Sequence, residues 1–335
     1  MSIVYFLRTC SDPISLLFEP VSESSLQIFE KSRHEDLPAF KSQNEAVKWY
    51  LKGLKESGLC LMDNLKRHPN PLTQLRLFNF FCIFHLVRYM ALLEAFYCGE
   101  NIRPVLLDFS GIAPSQSSVA RASEMAYTQM HKSINRFYAW SYAQKLKEKG
   151  YGKEDLLQSE TPVYDEKKKA SVEFSTLWNL AKERASACAT DDAARLVFGE
   201  TMYDMLALEA SSHPVNCLKI LGTSAGMLYP PDQMHPNKRF VLSQDILEMI
   251  LRSTVSPDEV LSGNDMRNRL WERFGIIIGG STYEIEKLQS SGMLLQIDED
   301  SLERNFTSFA ALLESMDFAE VMADGILQIR LGGSD

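Results

Sequence analysis

TQLRLFNFFCIFHLVRYMALLEAFYCG, residues 73–99, is the most apolar stretch of the chain and decides its fold. Its uncharged run, from Leu77 to Val87, is shorter than the about 20 residues that a membrane span needs. Arg88 and Glu94 would fall inside any longer span, and each would cost about 2.5–3.5 kcal/mol at the bilayer centre. On a helix the stretch is apolar on two sides, which is typical of burial between neighbouring helices. We therefore expect a buried core helix over 70–98, with Asn70 as its N-cap and Gly99 at its end.

Three polar side chains inside this helix form the first candidate site: His85, Arg88 and Glu94. His85 and Arg88 lie one turn apart on one face, and Glu94 lies roughly opposite. A buried charge needs a partner. The structural interpretation is therefore a core histidine beside an arginine that pairs with a carboxylate from another helix. The functional interpretation is an enzyme with a dispersed active site that uses all three residues.

A long helix expected over 119–149, after Ser118 as N-cap, is the second candidate site. It carries six nucleic-acid-binding candidates: Arg121, Lys132, Arg136, Lys145, Lys147 and Lys149. Between them stand four aromatic residues: Tyr127, Tyr138, Trp140 and Tyr142. Basic side chains hold phosphates and aromatic rings stack on bases, so this pattern favours nucleic acid. The alternatives are a solvated face and a face that docks against an acidic partner.

The chain is expected to be mainly α and to contain two domains. Its 335 residues fit two or three domains of about 100–200 residues. Pro230, Pro231 and Pro236 interrupt regular structure in the segment 211–240, because proline removes a backbone donor. We predict a large helical N-terminal domain over 1–228, with an exposed loop at about 150–172, and a small α+β domain over 241–335. Residues 1–40 favour a strand or two, or an extended arm.

Residues 241–335 are expected to have a winged-helix-like outline. Helical patterns at 243–255, 264–274 and 281–292 are joined by the β-type run 275–280 and followed by β-like runs at 293–297 and 326–331. This order resembles a winged-helix domain over about 90 residues, and the resemblance is one of pattern alone. It departs from that pattern where a helix over 301–316 stands in place of a short wing.

Charge is segregated along the sequence. Segment 66–153 has 12 Lys and Arg against 5 Asp and Glu, whereas segment 241–335 has 7 against 17. Phosphate binding depends on Lys and Arg, and the expected recognition helix, 281–292, carries two glutamates and one lysine. We therefore interpret the acidic domain as a protein-interaction module and not as a DNA reader.

Sequence motifs that carry chemistry are absent from the chain. It has no Walker A loop, no HExxH, no zinc-type spacing of His and Cys and no GxSxG, so we predict neither cofactor nor metal. The Asp108–Ser110 pair is interpreted as a turn cap. Six scattered cysteines are expected to be free thiols in a reducing compartment. The N-terminus does not resemble a signal peptide, and a cytoplasmic protein follows.

The leading functional prediction is a non-catalytic adaptor or scaffold subunit of a larger protein or protein–nucleic-acid assembly. Its partners would be one or more protein subunits, with nucleic acid as a further partner and no membrane. A prokaryotic antiviral-defence or DNA-processing complex is a working hypothesis for the setting. The first alternative is a nucleic-acid-binding protein that uses the basic central helices. The second is the enzyme with the dispersed site.

Overall fold

The computed structural model is mostly helical. It describes residues 44–99, 101–111, 113, 116–162, 172–209, 214–233, 235–291, 297–323 and 325–331. The expected strand or arm in 1–40 and most of the β-like run 293–297 lie outside the described residues. The helices are α1 (Glu45–Arg67), α2 (Pro71–Cys98), α3 (Ser118–Glu148), α4 (Lys153–Gln158), α5 (Val172–Ser186), α6 (Asp191–Glu209), α7 (Pro214–Ser224), α8 (Gln244–Arg252), α9 (Gly263–Phe274), α10 (Thr282–Ser290) and α11 (Glu299–Ser315). The strands are β1 (Val105–Leu106), β2 (Leu228–Tyr229), β3 (Arg239–Phe240), β4 (Val260–Ser262), β5 (Ile276–Ile277), β6 (Ala319–Val321) and β7 (Leu327–Arg330).

Helix α2 is the central core helix that the sequence predicts. The Asn70 side chain caps the backbone N–H groups of Leu72 and Thr73, and Gly99 ends the helix in the left-handed conformation. Within the described part of the chain, α2 is the one helix whose length and composition would also allow a membrane span, yet 61% of its most apolar window is buried in the protein. Burial on this scale is what a core helix shows.

The main core takes residues from both predicted domains. It includes Leu77 and Ile134 from the first segment and Ile250 and Ile329 from the second. Strand β1 pairs in parallel with β5, in the register Val105↔Ile276 and Leu106↔Ile277. The domain division stays a prediction, and the two segments share one continuous apolar core.

Asn305 of α11 joins the two segments by hydrogen bonds. Its amide donates to the carbonyl oxygens of Leu107, at 2.8 Å, and Ile278, at 2.6 Å. Its own oxygen accepts from the backbone N–H of Phe109 at 2.7 Å. One buried side chain therefore satisfies three backbone groups, and those groups come from the two paired segments.

Three strands at the C-terminal end form an antiparallel sheet in the order β4–β7–β6. Helix α11 directly precedes the β6–β7 hairpin. Strand β5, the β-type run expected to belong to this domain, pairs with β1 instead. The sheet thus uses β4 and β6, two three-residue strands that sequence patterning did not reveal.

A second, smaller core lies among α4, α5 and α6 and contains Leu156, Trp178 and Phe198. The loop expected at about 150–172 therefore begins with a helix, because Leu156 is buried in this core. The lysine triplet 167–169 lies outside the described residues. Helix α6 packs closely on α3, where a Cβ at Gly199 would come within 2.2 Å of the Ala139 carbonyl oxygen.

Candidate functional site

His85 is buried among aromatic rings on the side of α2 that faces α1 and α9. Its ring lies 4.3 Å from that of Phe81 and 5.8 Å from that of Phe274, measured between centroids, and its Nε2 lies 3.4 Å from the Ser57 hydroxyl. Burial, together with the charge of Arg88, lowers the pKa of His85 to about 3. The imidazole is therefore neutral near pH 7, which suits a core histidine better than a proton-transfer group.

Arg88 lies beside His85 and lacks the carboxylate partner that the sequence led us to expect. No described carboxylate lies within ion-pair distance of its guanidinium, and its Nη2 is buried without a hydrogen-bond partner in the described structure. Gly275 ends α9, and a Cβ built on this glycine would lie 2.6 Å from the Arg88 Nη2. The C-terminus of a helix carries partial negative charge. The guanidinium therefore lies beside the C-terminal end of α9, with no carboxylate from the described residues next to it.

Glu94 lies on the other side of α2 and pairs with two arginines. Its carboxylate is 3.0 Å from Nε of Arg136 on α3 and 3.8 Å from Nη2 of Arg103. The structure thus brings His85 and Arg88 together and separates Glu94 from them. A dispersed catalytic site that needs all three side chains at one point does not form among these residues.

The six basic candidates of α3 do not form one continuous surface. At 100° per residue, Arg121, Lys132 and Arg136 fall within about 60° of one another, whereas Lys145 faces the opposite side. Lys147 pairs with Asp192 of α6 at 3.4 Å. Lys149 follows the last helical residue as its C-cap.

Arg121 and Lys132 are the two basic candidates that line one groove of α3. Both are exposed and line a shallow groove of about 290 Å³ on α3, and the remaining lining residues are Glu124, Met125, Thr128 and Gln129. The neighbouring Arg136 is half-exposed but has Glu94 as its counter-ion. The basic surface of α3 is therefore smaller than the count of Lys and Arg suggested.

Three of the four aromatic candidates of α3 are used in packing. Tyr127 is buried, Tyr138 stacks on Tyr203 with 5.7 Å between ring centroids, and Trp140 lies against Tyr97. Base stacking needs an accessible ring face, and the periodicity of one helix could not show that α2 and α6 would cover these rings. The interleaved pattern of basic and aromatic residues is thus mainly a core pattern.

The outward face of α11 is acidic and was not identified from the sequence. Its exposed carboxylates are Glu299, Asp300, Glu303 and Glu314. Next to it, the β6–β7 hairpin exposes three apolar residues near its tip: Val321, Met322 and Ile326. The signal was present in the sequence as DEDSLE at 298–303, a pattern that by itself indicates only a helix start. We call these two features together the acidic hairpin face.

A second surface missed from the sequence is a groove of about 650 Å³ among α1, α9 and α10. Its aromatic lining residues are Trp49, Trp271 and Tyr283, and Glu272 and Lys287 lie beside them. Three helices far apart in sequence contribute these residues, so no local motif could have indicated the groove. We call it the aromatic groove.

Comparisons of this chain with known protein families, with curated proteins and with solved structures find no match. Among the described residues, no group of three or more His, Cys, Asp or Glu side chains is placed to hold a metal ion.

Proposed function

We propose that this protein is a non-catalytic adaptor or scaffold subunit of a larger protein or protein–nucleic-acid assembly. The observation that carries the proposal is the acidic hairpin face, where exposed carboxylates of α11 adjoin an apolar hairpin tip. An apolar patch rimmed by charged residues is typical of a protein-docking surface. A basic protein partner would match the charge of this face.

The winged-helix-like outline of residues 241–331 belongs to this proposal. Its support is the sheet order β4–β7–β6 and the position of α11 directly before the β6–β7 hairpin. In that outline α11 takes the place of the recognition helix that we had expected at 281–292. Carboxylates on such a helix would repel DNA phosphates, so a protein is the favoured partner.

A cytoplasmic location and the absence of a membrane partner are part of the same proposal. The described cysteines are free thiols, which fits a reducing compartment. The apolar helix α2 is mostly occupied by packing inside the protein. A prokaryotic antiviral-defence or DNA-processing setting stays a prediction.

Charge reversal on α11 tests the adaptor function. The tagged full chain, purified from its native cells, should recover one or more protein subunits in a fixed ratio, and Glu303→Lys with Glu314→Lys should reduce that recovery at least tenfold. Glu173→Lys, at an exposed position of α5, is the matched control and should keep the partner. Recovery of the chain alone, or equal recovery by the double variant, would contradict the proposal.

Nucleic-acid binding through α3 is the second candidate function, and the groove beside Arg121 and Lys132 favours it. Mobility shifts over a salt series, with single- and double-stranded probes, would measure it. Arg121→Glu with Lys132→Glu should weaken binding and flatten its salt dependence, whereas Lys145→Glu on the opposite side should have little effect. Unchanged affinity in the Arg121, Lys132 variant would eliminate this candidate.

A further inference from the structure

The aromatic groove has three ring faces that meet at an angle. The ring centroids of Trp49 and Trp271 are 6.3 Å apart at 43°, and Tyr283 meets Trp271 edge-on at 6.4 Å. Trp271 is nearly buried while Tyr283 is exposed, so the groove has an aromatic floor and an accessible wall. Its volume of about 650 Å³ lies within the range of about 300–1,000 Å³ that ligand pockets have.

A cation of the protein itself already lies in this groove. The Lys287 ammonium is 4.9 Å from the ring centroid of Tyr283 and 5.3 Å from that of Trp271. In the described part of the chain this ammonium has no carboxylate partner. Aromatic faces attract cations through the ring quadrupole. Lys287 thus marks where a cationic ligand group would be stabilised.

The rim of the groove adds negative charge. Glu272 lines the groove, and both Glu272 and Glu286 lie close enough to Tyr283 that their charges raise the pKa of its hydroxyl, after the larger effect of burial. Neither carboxylate has an ion-pair partner among the described residues. The only other acidic lining residue, Glu45, is paired with Lys48 at 2.6 Å. The free charge at the rim is therefore complementary to a cation.

We propose that the aromatic groove binds an arginine side chain of a protein partner, which stacks on the accessible rings of Trp49 and Tyr283 and pairs with Glu272. A planar guanidinium can stack on a ring and bind a carboxylate through two N–H groups at once, whereas a lysine ammonium is a point charge. Lys287 competes with the incoming arginine for the same aromatic faces. This site goes beyond the adaptor function proposed above and does not depend on the acidic hairpin face.

The four tryptophans of the full chain report on this site separately. We would label the indole nitrogens with ¹⁵N and titrate with the peptide Gly-Ser-Gly-Arg-Gly-Ser-Gly. The indole signals of Trp49 and Trp271 should shift, while those of Trp140 and Trp178, which lie outside the groove, should not. The same peptide with citrulline in place of arginine, and with the charge thereby removed, should cause no shift.

Variants of the groove residues show whether each side chain strengthens or weakens binding of the arginine peptide. Lys287→Met removes the internal competitor and should tighten binding of the arginine peptide about two- to fivefold. Glu272→Gln should weaken it about threefold or more, because the charge-assisted contact is lost. Lys55→Met, at an exposed position of α1, is the control and should leave the affinity unchanged.

Several results would overturn the assignment. Equal shifts with the citrulline peptide, or weaker binding by Lys287→Met, would show that charge does not direct binding. An absence of shifts at Trp49 and Trp271 would mean that the groove does not accept arginine, for instance because another segment of this chain fills it. Shifts of these two signals with protein concentration alone would assign the groove to a second copy of the chain.

Discussion

Arg88 is a buried cation that lies beside the end of a helix and has no carboxylate partner among the described residues. Its Nη2 lies against Gly275, where α9 ends with φ +66°. Burial lowers the pKa of Arg88 to about 10, so the guanidinium stays charged at neutral pH. Glycine at 275 serves two purposes there: it allows the left-handed backbone, and it leaves room for the guanidinium.

Gly275→Ala should therefore lower the free energy of unfolding by more than the left-handed backbone conformation alone costs an alanine. Gly111→Ala is a matched control, because Gly111 also has φ +66° but no heavy atom of the described residues lies within 4 Å of the position that an alanine methyl group would take. We expect about 1 kcal/mol for Gly111→Ala and clearly more than about 2 kcal/mol for Gly275→Ala. Urea unfolding measures both, and equal losses would contradict the role given to Arg88 and Gly275.

The depressed pKa of His85 predicts how stability depends on pH. In the folded protein the pKa is about 3, against an ordinary value of 6.5. The unfolded state therefore binds one more proton between these values. The contribution of neutral His85 to the free energy of unfolding is fully present above pH 6.5. It is lost as the pH falls towards about 3, at about 1.4 kcal/mol per pH unit.

Replacing His85 by leucine should reduce the slope of the free energy of unfolding against pH by the amount that corresponds to about one proton. The slopes are compared between pH 6.5 and about 4.5, above the range where most carboxylates titrate. Urea unfolding at a series of pH values gives the slope directly. An unchanged slope in His85→Leu would mean that His85 is accessible to protons in the folded protein.

At the level of elements, α2 is held by aromatic contacts on one of the two apolar sides that the sequence predicts. Phe84 is buried and meets Phe274 of α9 edge-on at 5.4 Å, whereas Leu86, two residues on, is 45% exposed. Phe84→Ala should cost about 3–5 kcal/mol, and Leu86→Ala less than about 1 kcal/mol. Denaturant unfolding compares the two, and similar losses would mean that α2 is not packed as described.

Helix ends could be predicted to within about a residue because capping residues are local signals: the sequence predicts Ser118 as the N-cap of α3, and the cap is Ser117. Asn70 and Gly99 mark the ends of α2, and the Ser281–Glu284 capping box marks the start of α10. Strands β5 and β7 lie within the predicted β-type runs 275–280 and 326–331. Strands β2, β3, β4 and β6 could not be predicted, since two or three residues are too few to show the alternation of apolar and polar side chains that marks a strand. Gly53 also shows that a local pattern does not reveal a contact between helices. Local propensity predicts that this glycine weakens α1. In the structure a Cβ at position 53 would lie 2.4 Å from the Arg273 carbonyl oxygen, so the glycine allows α1 and α9 to approach each other.

The candidate sites were less predictable than the elements because pairing across the chain decides them. The sequence identified His85, Arg88 and Glu94 as candidate buried polar residues, and all three side chains are buried in the structure. It could not show that Arg136 would neutralise Glu94, or that Trp49 and Tyr283 would meet at one groove. Each of these contacts joins residues that are more than 40 positions apart.

For the whole molecule, the shared core predicts cooperative unfolding of the two segments. Trp140 and Trp178 belong to the first segment and Trp271 to the second, so single-tryptophan variants report on each. Their urea transitions should coincide, because Asn305 and the β1–β5 pair connect the segments. Well-separated transitions would show that residues 241–331 form an independent domain.

Asn305→Leu tests the same connection more directly. It leaves one buried N–H group and two carbonyl oxygens without their partner, and the loss should be about 2–5 kcal/mol. Thr307→Leu, at an exposed position of the same helix, is the control and should be nearly neutral. A small loss for Asn305→Leu would mean that this contact does not hold the segments together.

At the scale of the assembly, we propose that another protein covers the acidic hairpin face. The most direct measurement is the native mass of the protein purified gently from its own cells. The account predicts a mass well above the 38.0 kDa of one chain, with a different protein in fixed ratio, and a return to 38.0 kDa in the variant with Glu303→Lys and Glu314→Lys. A wild-type chain that runs alone at 38.0 kDa, whatever the salt concentration, would contradict it.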